Sequence, residues 1–152
     1  MGKRRPPYQK KPFESSGASN DVSANLYASM LMSPAWMDLT AQQKTLYVMC
    51  KLQLYGEKQK PTDDPASFTM NQAKWCKLYK LYKPGNERAF YRDMDALIEH
   101  GFVICVSSGA FGKTKSIYRL SSMWQKWGTA AFEVSLSEMT LAMVRKRRDK
   151  KE

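Results

Sequence analysis

NERAFYRDMDALIEHGF, residues 86–102, runs directly into VICVSSGAFGKTKSIYRL, residues 103–120, and these two stretches decide the architecture. In the first, Phe90, Met94, Leu97 and Ile98 stand at i, i+4, i+7 and i+8, one apolar face at helical period. Arg88 and Arg92 fall on the opposite side, with Tyr91 at the edge. Pro84 and Gly85 break any helix arriving from upstream, and Asn86 is read as the N-cap. Gly101 ends the helix as a glycine able to take positive φ. In the second stretch Phe102, Ile104 and Val106 alternate with Val103, Cys105 and Ser107, which predicts a strand. Ser107-Ser108-Gly109 and Gly112 supply a turn, and residues 116–120 return as a second strand with Ile117 and Tyr118 as good β formers.

A helix that feeds straight into a hairpin is the order of a winged helix-turn-helix. The expected fold is therefore α+β and mostly helical: a three-helix core with a β-hairpin wing, plus a C-terminal helical extension. Upstream segments fit that frame. Residues 26–32 read as a short strand or a helical turn, and Ser33-Pro34 starts a short helix that buries Trp36 and Leu39. Thr40-Ala41-Gln42-Gln43 is a capping box opening a first long helix over 41–55, with Leu46, Met49, Cys50 and Leu54 inward and Gly56 as its stop. Residues 57–67 read as an exposed loop, and Phe68-Thr69-Met70 as a minimal strand that pairs with the wing. Asn71 caps a second helix over 71–79. Residues 121–128 form one closing turn, with Trp124 and Trp127 packing back on the domain.

This order makes double-stranded DNA the leading partner. A helix fits the major groove, and its N-terminal residues reach base edges. Here those are Asn86, Arg88, Tyr91 and Arg92. Lys113 and Lys115 on the wing meet phosphates or an adjacent minor groove, and Lys74, Lys77, Lys80 and Lys83 line the second helix and the turn after it. The same arginines, with Asp95, also read as a solvated face with i,i+3 and i,i+4 pairing. Glu87, Asp93, Asp95 and Glu99 leave the helix nearly neutral, so base readout rests on few contacts.

The totals agree with a polyanionic partner. The chain has 152 residues and a net charge of +11, with a pI of about 9.6. Three segments are expected: a disordered basic arm over 1–23, the winged domain over 24–128, and an extension over 129–152. The arm holds five basic and two acidic residues, the last eight residues six basic and two acidic. The apolar part of the extension either packs on residues 26–32 or mediates a homodimer. No apolar run is long enough to span a bilayer and no secretory signal is visible, so a cytoplasmic protein without membrane contact is expected. Cys50, Cys76 and Cys105 are widely spaced, and His100 is the only histidine, so they read as buried free thiols, with no metal site and no cofactor. His100 sits where a helix C-terminus meets its dipole.

On Ser33-Pro34-Ala35-Trp36, Leu39-Thr40, Leu46-Tyr47 and Asn71, then residues 90–94, 97–102 and 117–121, the chain resembles small winged-helix proteins of plasmids, conjugative elements and phages of Gram-positive bacteria. That group includes replication-initiator-like domains and accessory proteins that bind near transfer origins. The resemblance covers about residues 26–128. It implies sequence-selective duplex binding in conjugative transfer (alongside a relaxase or another transfer or replication protein), plasmid replication or transcription regulation. The acidic residues on the third helix depart from strong base readout.

Two other classes compete with DNA binding. A winged helix can serve as a protein–protein interaction module, and RNA binding would use aromatics such as Tyr79, Tyr82 and Tyr91. An enzyme is the weakest class, because no nucleophile–base pair, metal cluster or phosphate loop is visible in the sequence. Asp63-Asp64 reads as a turn.

Overall fold

Two helix starts are built as their sequences dictate. The Ser33 hydroxyl accepts from the Trp36 N–H at 3.2 Å and donates to the Met30 carbonyl at 2.6 Å, so one side chain joins helix α1 (Ala28–Leu31) to helix α2 (Pro34–Met37). Pro34 takes the first turn of α2, where a missing N–H costs nothing. Residues 26–32 thus resolve as a helical turn rather than a strand. At the start of α3 (Ala41–Gly56), the Thr40 hydroxyl accepts from the Gln43 N–H at 3.3 Å, and the Gln43 side-chain oxygen accepts from the Thr40 N–H at 2.9 Å. This is the reciprocal box expected from the sequence.

The computed structural model describes residues 13, 16, 17, 21–70, 80–107 and 115–133. Beyond α3 they form β1 (Ser67–Thr69), α4 (Glu87–Glu99), β2 (Val103–Ser107), β3 (Ile117–Leu120) and a 3-10 turn at Met123–Lys126. The result is a small α+β fold, with four α-helices and a three-stranded antiparallel sheet among the described residues. The helix expected over 71–79, the hairpin tip and residues 134–152 lie outside them.

Two expectations about α3 and its exit are corrected. Gly56 is the last helical residue rather than the stop, because the Glu57 N–H still donates to the Gln53 carbonyl at 3.0 Å. The chain turns at Glu57, whose carboxylate accepts from the Thr69 hydroxyl at 2.7 Å and from the Thr69 N–H at 3.3 Å. Nor is 57–67 an exposed loop throughout. The Lys60 ammonium donates to the Leu54 carbonyl, one of those a helix end leaves without a partner. Ser67 is buried and already in β1.

Gly101 ends α4 as expected, at φ +81°. Its N–H donates to the Ile98 carbonyl at 3.1 Å, and the Phe102 N–H donates to the Leu97 carbonyl at 2.9 Å. That pair of bonds is a Schellman motif, and Leu97 and Phe102 at its two ends are both fully buried. A Cβ at Gly101 would lie 2.6 Å from the Trp124 backbone nitrogen, so the position needs glycine for space as well as for φ.

Strand β3 is central, in the order β1-β3-β2. Phe68 faces Tyr118, and Val103, Ile104 and Cys105 face Leu120, Arg119 and Tyr118; an irregularity between Cys105 and Ser107 shifts the register. The minimal strand near Phe68 therefore pairs with the returning hairpin strand, as expected. Inward residues of the sheet meet α3 and α4 around Leu46, Cys50, Phe90, Met94 and Leu97. Trp36, Tyr47 and Phe102 form an aromatic triangle with centroids 5.2–5.8 Å apart, and Trp124 stacks on Phe102 at 6.0 Å. Edge-to-face and tilted packing of this kind adds to the area buried. Cys50 and Cys105 are buried thiols, and burial pushes the Cys50 thiol well up; Cys76 lies outside the described residues.

Candidate nucleic-acid interface

The loop before α4 orients its first turn. The Asn86 N–H donates to the Lys83 carbonyl at 3.0 Å, closing a four-residue turn with Pro84 and Gly85 at its centre and Gly85 at φ +83°. Proline followed by a glycine at positive φ fits a type II turn. Asn86 occupies the N-cap position, but its side chain makes no capping bond. Its φ/ψ of −95°/53° lies outside the extended region a capping side chain needs, so the N-cap expectation holds for position only.

Beyond the turn, α4 separates its residues sharply. Phe90, Met94, Leu97 and Ile98 are buried, while Lys83, Asn86, Arg88 and Arg92 are exposed. Arg88 and Arg92, one turn apart, share an outer stripe. Tyr91 is half-buried, edge-on to Phe90 with centroids 5.3 Å apart. It also lies within electrostatic reach of the Tyr118 hydroxyl on β3. That phenol is pushed up chiefly by burial, then by Cys105 and Tyr91, and opposed by a hydrogen bond with the Ser116 side chain. The returning hairpin strand begins two residues after exposed Lys115. Lys113, Lys74 and Lys77 lie outside the described residues. Lys80 is exposed in a left-handed conformation at φ 53°.

A polar group that sequence reasoning misses lies beneath this helix. In the sequence Asp93 is only one of four acids neutralising α4, yet in the fold it is 2% exposed. Its Oδ2 accepts from the Tyr82 hydroxyl at 2.8 Å and its Oδ1 from the Gln43 side-chain amide at 3.4 Å. Burial and the Asp93 carboxylate both push the Tyr82 phenol well up, so its proton stays available to Asp93. The Arg92 Nε stands 3.5 Å from Asp93 Oδ1. Asp93 lies three residues after Phe90 and four before Leu97, a spacing that marks the buried face and is the signal that could have found it.

Lys51 escapes sequence reasoning as well. It is 6% exposed, donates to the Asn25 carbonyl, and sits over the rings of Tyr27 and Tyr47 at 5.7 and 5.8 Å. Asp64 makes the turn expected at 63–64. Its Oδ1 accepts from the Ala66 N–H at 2.9 Å and its Oδ2 pairs with Arg119 of β3, which together hold its carboxyl below the usual range.

Among the described residues, no group of three or more His, Cys, Asp or Glu could hold a metal ion, and no helix is long and apolar enough to cross a membrane. Comparison with protein-family models, curated proteins and solved structures gives no match.

Proposed function

We propose that the protein is a non-enzymatic, cytoplasmic, double-stranded DNA-binding protein of the winged helix-turn-helix class. The observation that carries the reading is the outer edge of α4. It presents exposed Asn86, Arg88 and Arg92, on a chain of net charge +11. In this reading α4 enters the major groove, the hairpin and the turn at Lys83 contact phosphates, and the basic ends add affinity by releasing counterions. Residues 1–23 act as the basic arm, 24–128 as the winged domain and 129–152 as the extension. The resemblance to winged-helix proteins of mobile elements supports a role in conjugative transfer, plasmid replication or transcription control. The test is a fluorescence anisotropy titration of the full chain with duplex at several salt concentrations. Association that weakens linearly in log–log form with salt is expected; no association at low salt overturns the reading.

A second reading, a protein-interaction module, is favoured by one observation. Tyr27, Met32 and Met37 on and beside α1 and α2 are 59–70% exposed. Exposed apolar residues grouped in this way mark interaction surfaces. Charge reversal at Arg88 and Arg92 that leaves duplex affinity intact would favour this reading.

A further inference from the structure

Asp93 is a carboxylate in the apolar face of α4, and such a charge is retained only when partnered. Two of its partners are neutral donors fixed by other parts of the fold. Tyr82 is buried edge-on to Phe90, with centroids 5.8 Å apart and planes at 87°. Gln43 is locked by its capping bond to Thr40 at the start of α3. The third partner is the Arg92 guanidinium, which reaches over from a side chain 63% exposed. Its Nε stands 3.5 Å from Oδ1 of Asp93, an ion-pair contact, and the Nε edge is the one that a bidentate contact through the two terminal nitrogens does not need.

We propose that Asp93 is a positioning residue for Arg92: anchored from below by Tyr82 and Gln43, it fixes the guanidinium at its Nε edge, so that the two terminal nitrogens are held ready for the O6 and N7 acceptors of one guanine in the major groove. The proposal rests on the DNA-binding reading above. Its physical content is preorganisation. An arginine held in place loses less side-chain freedom on contact than one that must be ordered by the base. The competing account makes Arg92 merely the counterion of a buried acid, with no bearing on readout.

The test uses the full chain and a duplex selected from a random-sequence pool, with each base pair then substituted in turn. Arg92→Ala is expected to lower discrimination at one G·C pair by roughly tenfold. Asp93→Asn keeps the shape and an acceptor for Tyr82, and is expected to lower discrimination at that same pair by about fivefold. It should at the same time raise affinity for unrelated duplex, because the helix that faces the duplex loses one negative charge. Opposite signs on the two readouts would not arise from a loss of folding. The double variant should lose no more than Arg92→Ala alone. Should Asp93→Asn fail to fold, Tyr82→Phe removes only the anchoring hydroxyl and should weaken the same pair about twofold.

Wild-type discrimination in Asp93→Asn and Tyr82→Phe, or losses spread evenly over all sequences, overturns the proposal while leaving duplex binding standing. A nitrogen-resolved NMR spectrum of the free protein tests the positioning without DNA. The Arg92 Nε–H signal should be shifted and slow to exchange relative to Arg88, and should collapse in Asp93→Asn. An Arg92 signal equivalent to that of Arg88 overturns the proposal, whereas a positioned Arg92 with no duplex association counts against the functional reading alone.

Discussion

His100 lies flat on Trp127, the ring centroids 5.0 Å apart and the planes 18° from parallel. Its two nitrogens reach acceptors in different elements, Nδ1 2.7 Å from the Ala96 carbonyl and Nε2 2.7 Å from a carboxylate oxygen of Asp38. One side chain thereby closes the end of α4, ties it to the residue after α2 and seats the final turn. His100→Ala should cost about 2 kcal/mol, as a lost ring stack and lost hydrogen bonds together. Asp38→Asn should cost less than about 1 kcal/mol, since Asp38 is largely exposed. Urea unfolding of both variants measures the difference, and equal costs would contradict the shared-anchor role.

Gly101→Ala tests the junction between α4 and the sheet. The left-handed conformation alone costs an alanine about 1–2 kcal/mol. The added methyl group also meets backbone of the 3-10 turn, which must move. The expected result is a loss of at least about 2 kcal/mol by chemical denaturation. Near-ultraviolet circular dichroism should also change, as Trp124 leaves Phe102.

Asp64 gives a pH dependence with a definite sign. The Ala66 N–H bond and then Arg119 hold its carboxyl, in the folded chain, below the ordinary aspartate range. Its contribution is therefore present above the unfolded value and is lost as pH falls through the depressed folded value. The unfolding midpoint of the native chain should drop on acidification below that ordinary value more steeply than that of Asp64→Asn. Coincident acid limbs would remove the pair from the stability of β3.

Lys83 and Lys115 separate phosphate contact from base reading. Each changed to Ala should weaken all duplexes alike and reduce the log–log salt slope by about 1. Arg92→Ala should instead relax sequence preference at a cost of about 1–3 kcal/mol on the preferred site. Anisotropy titrations over a salt series, with preferred and unrelated duplex, distinguish the two patterns.

Local rules made much of this legible from sequence. The Thr40–Gln43 box, the apolar period from Phe90 to Ile98, the role of Gly101 and the strand at Phe68 each depend on neighbours within a few residues or on strict alternation. The misses depend on partners remote in sequence. Asp93 is buried because Tyr82 and Gln43, 11 and 50 residues away, satisfy it. Lys51 is buried because Asn25 and two tyrosine rings receive its ammonium. Glu57 redirects the chain because Thr69, 12 residues on, claims its carboxylate. A charged residue in a helix reads as solvated until the fold brings it such company.

The middle strand of the sheet is also the last of the three to be synthesised. While the ribosome is still short of residue 117, Ser67–Thr69 and Val103–Ser107 are both made, and neither has its β3 neighbour. Sheet closure is thus deferred until the returning strand emerges. Until then the nascent chain carries two bare edges, so a premature stop in the hairpin should yield a species prone to self-association rather than a smaller working unit.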